Sequence, residues 1–173
     1  MFETLIHRVL DDPRIAPLAT LALSLATLAG AYGSQHWGGL QPCVLCLYQR
    51  WPWWIAAGIA ALALALVRHR GVRRGLLALA GVALLAGGGI AVYHVGVEQH
   101  WWAGTASCGA TGAVPTTLEE LKRQVLSAPV VRCDEVQWSL FGISMAGYNA
   151  MLSFVAGLAL LAFTQKARKG NAA

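Results

Sequence analysis

The sequence predicts an all-α membrane protein, a four-transmembrane-helix bundle in a single domain over residues 1–173, with a short amphipathic helix in its second outer loop. Three observations carry this. Of the 173 residues, 57% are hydrophobic and only 12% charged, about half the charged share of an ordinary soluble domain. Four apolar runs approach the ~20 residues that cross a ~30 Å hydrocarbon core as a helix. The runs are continuous and rich in Ala, Leu and Gly rather than alternating, so each satisfies its backbone polar groups within a helix and not as a barrel strand.

The first run extends from about Ile15 to Tyr32. Ala29-Gly30-Ala31 resembles a signal-peptidase site, but the apolar core exceeds the 7–15 residues usual in a signal and Asp11 and Asp12 precede it, which favours a retained helix. The second runs from Leu47 to Val67, the third from Leu76 to Val95 and the fourth from Phe141 to Phe163. Gly81, Gly87, Gly88 and Gly89 in the third read as faces for close helix packing. The outer loops then cover about 33–46 and 96–140.

Charge orients these helices. Arg68, Arg70, Arg73 and Arg74 crowd the expected connection between the second and third, Lys166, Arg168 and Lys169 follow the fourth, and Arg8 and Arg14 precede the first. Nine of the thirteen basic residues thus fall on one side, which the positive-inside rule makes cytoplasmic. The net charge of +5 is therefore a topology signal and not a nucleic-acid stripe. Both termini are expected in the cytoplasm, and both loops with cysteines in the oxidising compartment outside.

The second outer loop is too long for a simple connection. Thr116 with Glu119, or Thr117 with Glu120, offers a capping box. Leu118, Leu121 and Val125 follow at helical spacing before Pro129, which predicts an amphipathic helix lying on the membrane surface. Gly104, Gly109 and Gly112 flank Cys108 and leave its backbone easy to rearrange.

The four cysteines form one close pair, Cys43 and Cys46 in Gln41-Pro42-Cys43-Val44-Leu45-Cys46, and one distant pair, Cys108 and Cys133. Structural zinc normally needs two close pairs, and no metal is called for. Disulfide staples suit Cys108 and Cys133, but a staple across Cys-x-x-Cys closes a very small ring and constrains little chain. Such pairs are more often redox-active, with one thiol pKa lowered. A helix start after Pro42 and Arg50, one turn beyond Cys46, favour a thiolate on Cys46. His94, an ionisable group at membrane depth, is a further candidate. Trp51, Trp53, Trp54, Trp101 and Trp102 read as an interfacial aromatic belt.

With these residues in view the chain resembles the disulfide bond formation protein B (DsbB) family, inner-membrane quinone reductases of bacteria that reoxidise the periplasmic oxidant DsbA. Four segments carry the likeness: Pro42-Cys43-Val44-Leu45-Cys46-Leu47-Tyr48-Gln49-Arg50; Tyr93-His94-Val95-Gly96-Val97-Glu98; Trp102-Ala103-Gly104 before Cys108; and Cys133-Asp134 before the last helix. The resemblance implies a relay. A DsbA-like periplasmic dithiol protein attacks a Cys108–Cys133 disulfide through Cys108, Cys133 attacks Cys43, and Cys46 leaves as a thiolate that reduces ubiquinone or menaquinone, with Arg50 and His94 beside the quinone. An acidic residue is frequent in the family where this chain has Gln49. An ordinary structural disulfide, below about −300 mV, lies too low to accept electrons from a strongly oxidising partner, so a strong terminal acceptor such as a membrane quinone is expected. Two other readings fit less well: a vitamin K epoxide reductase-like quinone reductase, whose active pair comes late in the chain, and a structural tetraspan with stapled outer loops.

Overall fold

The computed structural model describes residues 12–105, 108, 117–120, 122 and 131–169. The main elements are α1 (Ile15–His36), α2 (Val44–Tyr48), α3 (Arg50–Ala65), α4 (Arg70–Glu98), a two-stranded hairpin of β1 (Ser139–Leu140) and β2 (Ile143–Ser144), and α5 (Met145–Lys169). Three helices among the described residues are long and apolar enough to cross a membrane: Ile15–His36, Arg70–Glu98 and the Met145–Gln165 part of α5. At 16 residues, α3 alone spans about 24 Å at 1.5 Å per residue, short of the hydrocarbon core.

The helix expected from Leu47 instead begins at Val44, with Cys43 as its N-cap, and is interrupted at Gln49. Pro52 accounts for the interruption: it has no N–H for the Tyr48 carbonyl four residues back, and its ring crowds that oxygen. The third helix is longer than expected at both ends. Arg70, Arg73 and Arg74 lie in its first turns rather than in a loop, and the connection from α3 shrinks to residues 66–69. The fourth begins four residues later than expected because a hairpin precedes it. Phe141 and Gly142, both at positive φ (51° and 77°), form its two-residue turn, in which such backbone twist matches that of the strands. The expected loop helix from Thr116 to Val125 falls mostly outside the described residues; within them, Thr117 Oγ1 accepts the Glu120 N–H at 3.2 Å.

The helices pack in chain order: α1 on α3, α3 on α4, and most extensively α4 on α5. In α1 the buried residues Pro17, Thr20, Ser24 and Leu28 recur every three or four positions and form one face. From α3 come the buried Trp53 and the small buried residues Ala56, Ala60 and Ala63. Small residues also set the approach of α4 to α5 and to α3. A Cβ on Gly81 would lie 3.0 Å from the Gly157 carbonyl, and one on Gly87 only 2.7 Å from the Pro52 ring. A Cβ on Gly88 would meet the Phe154 ring at 3.1 Å, whereas Gly89 has nothing within 4 Å and takes no part in the expected packing face. The Gly81–Gly157 and Gly88–Phe154 pairs run antiparallel, which brings the arginines of α4 to the end of the molecule where α5 finishes.

Candidate active site

Cys43 ends the extended segment before α2 with φ −74° and ψ 171°, and its sulfur accepts the Cys46 N–H at 3.3 Å. One turn on, Cys46 Sγ lies 2.9 Å from Cys43 Sγ, and the two are free thiols. Cys43 is 3% exposed. Because α2 starts at Val44, Cys43 occupies the capping position that meets the free N–H groups. The donors therefore converge on Cys43 in this dithiol, whereas the sequence argument puts the anion on Cys46. The Cys46 hydrogen bond, followed by His94, holds the Cys43 thiol below the usual thiol range against the opposing cost of burial.

His94, near the C-terminal end of α4, faces this pair with Nε2 3.5 Å from Cys43 Sγ. Glu98 follows one turn later, its Oε1 3.9 Å from the same nitrogen. Ser144, at the end of β2, donates to Glu98 Oε2 at 2.5 Å. On the other side of the ring, Gln49 Nε2 lies 2.7 Å from His94 Nδ1, Asn149 Nδ2 donates to Gln49 Oε1 at 2.7 Å, and Trp53 Nε1 donates to Asn149 Oδ1 at 2.8 Å. Trp53 is only 1% exposed. It belongs to the core and not to the aromatic belt, because its indole N–H finds this partner inside the bundle. Trp51, Trp54, Trp101 and Trp102 do reach the surface.

The second pair is brought to the first by a fold-back after α4. His100 turns the chain at φ 58°. Trp102 then packs over Gly96, where any Cβ would collide with the indole, stacks on Tyr93 and donates to the Tyr93 carbonyl at 2.9 Å. The Tyr93 hydroxyl returns a bond to the Ala103 carbonyl at 3.0 Å. Gly104 is thereby set against Val97 and Cys108. Cys108 is disulfide-bonded to Cys133, with Cα atoms 5.3 Å apart. Cys133 is wholly buried and packs with Cys43, Leu45 and Val97, while Cys46, Tyr93 and Cys108 adjoin them. All four cysteines thus meet in one cluster. Beside it, at the surface, Arg132 binds Asp134 with two hydrogen bonds of 2.9 and 2.5 Å and holds its carboxyl down at about 2.

Arg50 is turned toward α1. It donates to Gln35 Oε1 at 2.9 Å and to the Ala31 carbonyl at 3.4 Å, and its guanidinium lies 4.5 Å above the Tyr32 ring. Arg50 and Cys46 both line a cavity of about 360 Å³. This cavity separates α1 from α5: Thr27, Leu28 and Ala31 form one wall and Ala146, Asn149 and Leu152 the other, with Trp53, His94 and Glu98 between them. Its size falls in the range of small-molecule sites, apolar walls with a few convergent polar groups. Cys43, Cys46 and His94 also present three donor atoms within 4.8 Å of one another.

The structure gathers Cys43, Cys46, Cys108, Cys133 and His94, and Arg50 lines the same cavity as Cys43, Cys46 and His94. Sequence reasoning missed the parts played by Gln49, Trp53, Ser144 and Asn149. Asn149 carried a usable signal, a lone amide inside an apolar membrane run, where polar groups mark function or helix contacts. Ser144 and Trp53 carried none.

Comparison with known proteins places this geometry in a family. The family model described as "Disulfide bond formation protein DsbB" matches residues 13–163. Disulfide bond formation protein B 2 of Pseudomonas syringae is 36% identical over 153 residues, 81% of each chain. Disulfide bond formation protein B of Polaromonas naphthalenivorans is 32% identical over 158 residues, 88% of this chain and 92% of its own. An uncharacterised protein of Rickettsia prowazekii is 26% identical over 163 residues, 92% of this chain and 93% of its own. No solved structure matches significantly.

Proposed function

The chain belongs to the DsbB family of membrane disulfide bond formation proteins, and from that membership we propose that it reoxidises a DsbA-like periplasmic dithiol protein and passes the electrons to a membrane quinone. The observation that carries the reading is the single buried cluster in which the Cys108–Cys133 disulfide lies against the Cys43/Cys46 pair.

A thiolate of the partner attacks Cys108, a partner–Cys108 disulfide forms, and Cys133 leaves as a thiolate. Cys133 attacks Cys43 of an oxidised Cys43–Cys46 pair, and Cys46 leaves. The partner's second thiol then attacks its own sulfur bonded to Cys108. Cys108, released, attacks Cys133 and restores the second disulfide, which leaves Cys43 and Cys46 reduced and the partner oxidised. His94 faces Cys43 and stabilises negative charge on it whenever it leaves.

A quinone, when bound, supplies a two-electron, two-proton acceptor that returns Cys43 and Cys46 to the disulfide. The residues present fit such a group. The cavity has Leu28, Leu152 and Trp53 for an apolar ring, Cys46 and His94 at its wall, and Arg50 as a donor for a carbonyl oxygen. Ubiquinone and menaquinone satisfy the same chemistry.

In this reading α2 and α3 together make a fourth crossing, about 22 residues in all, and the protein is a four-helix bundle in the bacterial inner membrane. The basic ends of α4 and α5 face the cytoplasm with both termini, and the cysteines face the periplasm. The test is quinone reduction by the purified protein with a reduced DsbA-like substrate. Turnover that requires quinone and disappears in Cys46→Ser supports the reading. A protein with intact disulfides that reduces neither ubiquinone nor menaquinone overturns it in favour of stapled structural loops.

A further inference from the structure

The amides beside the cysteine pair admit only one direction of hydrogen bonding. At one end, Trp53 Nε1 is a donor and nothing else, so the Asn149 atom 2.8 Å away is the oxygen and Asn149 presents its NH₂ to Gln49 at 2.7 Å. That makes the Gln49 atom it meets the oxygen and turns the Gln49 NH₂ toward His94. At the other end, the Leu45 backbone carbonyl is an acceptor and nothing else; it lies 3.3 Å from the same Gln49 nitrogen. Two independent termini, one donor-only and one acceptor-only, thus orient the chain the same way. Gln49 Nε2 has two hydrogens, one for Leu45 and one for His94 Nδ1 at 2.7 Å. Gln49 and His94 are 5% and 3% exposed, so water offers little substitute.

We propose that Trp53, Asn149 and Gln49 form a directional relay that sets the tautomer of His94, leaving Nδ1 as the acceptor and placing the ring proton on Nε2, where it faces Cys43. Asn149 and Gln49 are positioning residues in this account, acting on the sulfur through the imidazole. Nε2 then offers the sulfur a hydrogen and not a lone pair. Although Cys43, Cys46 and His94 lie close enough to ligate a soft metal ion, the imidazole in this tautomer is unavailable to one, and the pair is kept for exchange. The proposal deepens the oxidase reading of the same site and rests on it for its consequence, but not for its test.

The test is nitrogen NMR of the full-length, reduced protein with ¹⁵N-labelled histidine, at a pH alkaline enough that the imidazole carries a single ring proton. Loss of the signals in His94→Gln assigns them. The wild type is expected to show a bare Nδ1 and a protonated Nε2. In Gln49→Glu the carboxylate can only accept, so Nδ1 becomes protonated. In Asn149→Asp the oxygen facing Gln49 reverses its amide, and Nδ1 again becomes protonated although no contact at His94 itself has been changed. Protonated Nδ1 in the wild type, which depends on no variant folding, overturns the proposal; so does a bare Nδ1 retained in either variant. A bare Nδ1 in a protein that fails to reduce quinone would leave the relay standing and remove the oxidase reading alone.

Discussion

His94 Nε2 lies 3.5 Å from Cys43 Sγ, across 51 positions of sequence and between two helices. The pH response of the thiol follows from this contact. Cys43 is held below the usual thiol range by Cys46 and then by His94, so its thiolate persists at lower pH than that of an ordinary cysteine near about 8.5. Removing a donor to the charged form destabilises that form. In His94→Gln the midpoint for Cys43 ionisation should rise, and exchange near neutral pH should slow about tenfold or more, as a hydrogen bond to a charged group is worth about 1.5–3 kcal/mol. Ultraviolet thiolate absorbance against pH, wild type beside variant, measures the midpoint. An unchanged midpoint would show that His94 does not act on the sulfur.

Cys133 shares a buried cluster with Cys43, and a disulfide between them needs only a local change of partner. In Cys46→Ser/Cys108→Ser, the two remaining cysteines should join on mild oxidation, seen as a mobility shift on a non-reducing gel that dithiothreitol reverses. The complementary variant, Cys43→Ser/Cys133→Ser, should cross-link several-fold more slowly, since Cys46 and Cys108 flank the cluster rather than form its buried centre. Equal rates would mean that the loop carries no preference for Cys43.

Membrane helices and cysteine chemistry were legible in the sequence for a physical reason. Hydrophobic length and Cys-x-x-Cys spacing are local properties, and the runs from Ile15, Leu76 and Phe141 needed no knowledge of partners. Helix ends were less legible. The start at Val44 depends on Cys43 serving as its cap and the break at Gln49 on Pro52 acting backward on Tyr48, and the start at Arg70 depends on arginines that tolerate a helix as well as a loop. What could not be read was the role of side chains defined by partners far away. Trp53 looks like any interfacial tryptophan until Asn149, 96 positions later, gives its indole a partner in the core. Glu98 was visible only as the end of a motif, and its bond to Ser144 exists because a hairpin that no local signal announced ends there.

Arg50 is held against α1 by Gln35, Ala31 and Tyr32 and lines the same cavity as His94. Its role in the proposal is to bind the acceptor, not to exchange thiols. Arg50→Gln should raise the KM for quinone about 10- to 100-fold, the equivalent of one charge-assisted hydrogen bond, while the rate at which reduced partner protein opens the Cys108–Cys133 disulfide stays unchanged. Steady-state quinone reduction measures the first, and a single-turnover mixed-disulfide trap measures the second. Equal loss of both would remove Arg50 from quinone binding.

Gly87 sits where α4 crosses α3, and a Cβ there would come within 2.7 Å of the Pro52 ring. Pro52 is a stiff neighbour, since its ring cannot rotate away, and it lies beside the interruption that brings Gln49 to His94. Gly87→Ala is therefore expected to force the helices apart and destabilise the protein by about 1–3 kcal/mol, the usual cost of overpacking a core. Gly89→Ala, on the same helix with nothing within 4 Å, supplies the control. Losing a glycine from the interior of a helix carries a gain of up to about 1 kcal/mol in intrinsic propensity, so this variant should be unchanged or slightly stabilised. Thermal unfolding of the two variants in the same detergent measures the difference, and a Gly87→Ala protein as stable as Gly89→Ala would mean that Pro52 yields and that the crossing of α3 and α4 does not depend on close approach at this glycine.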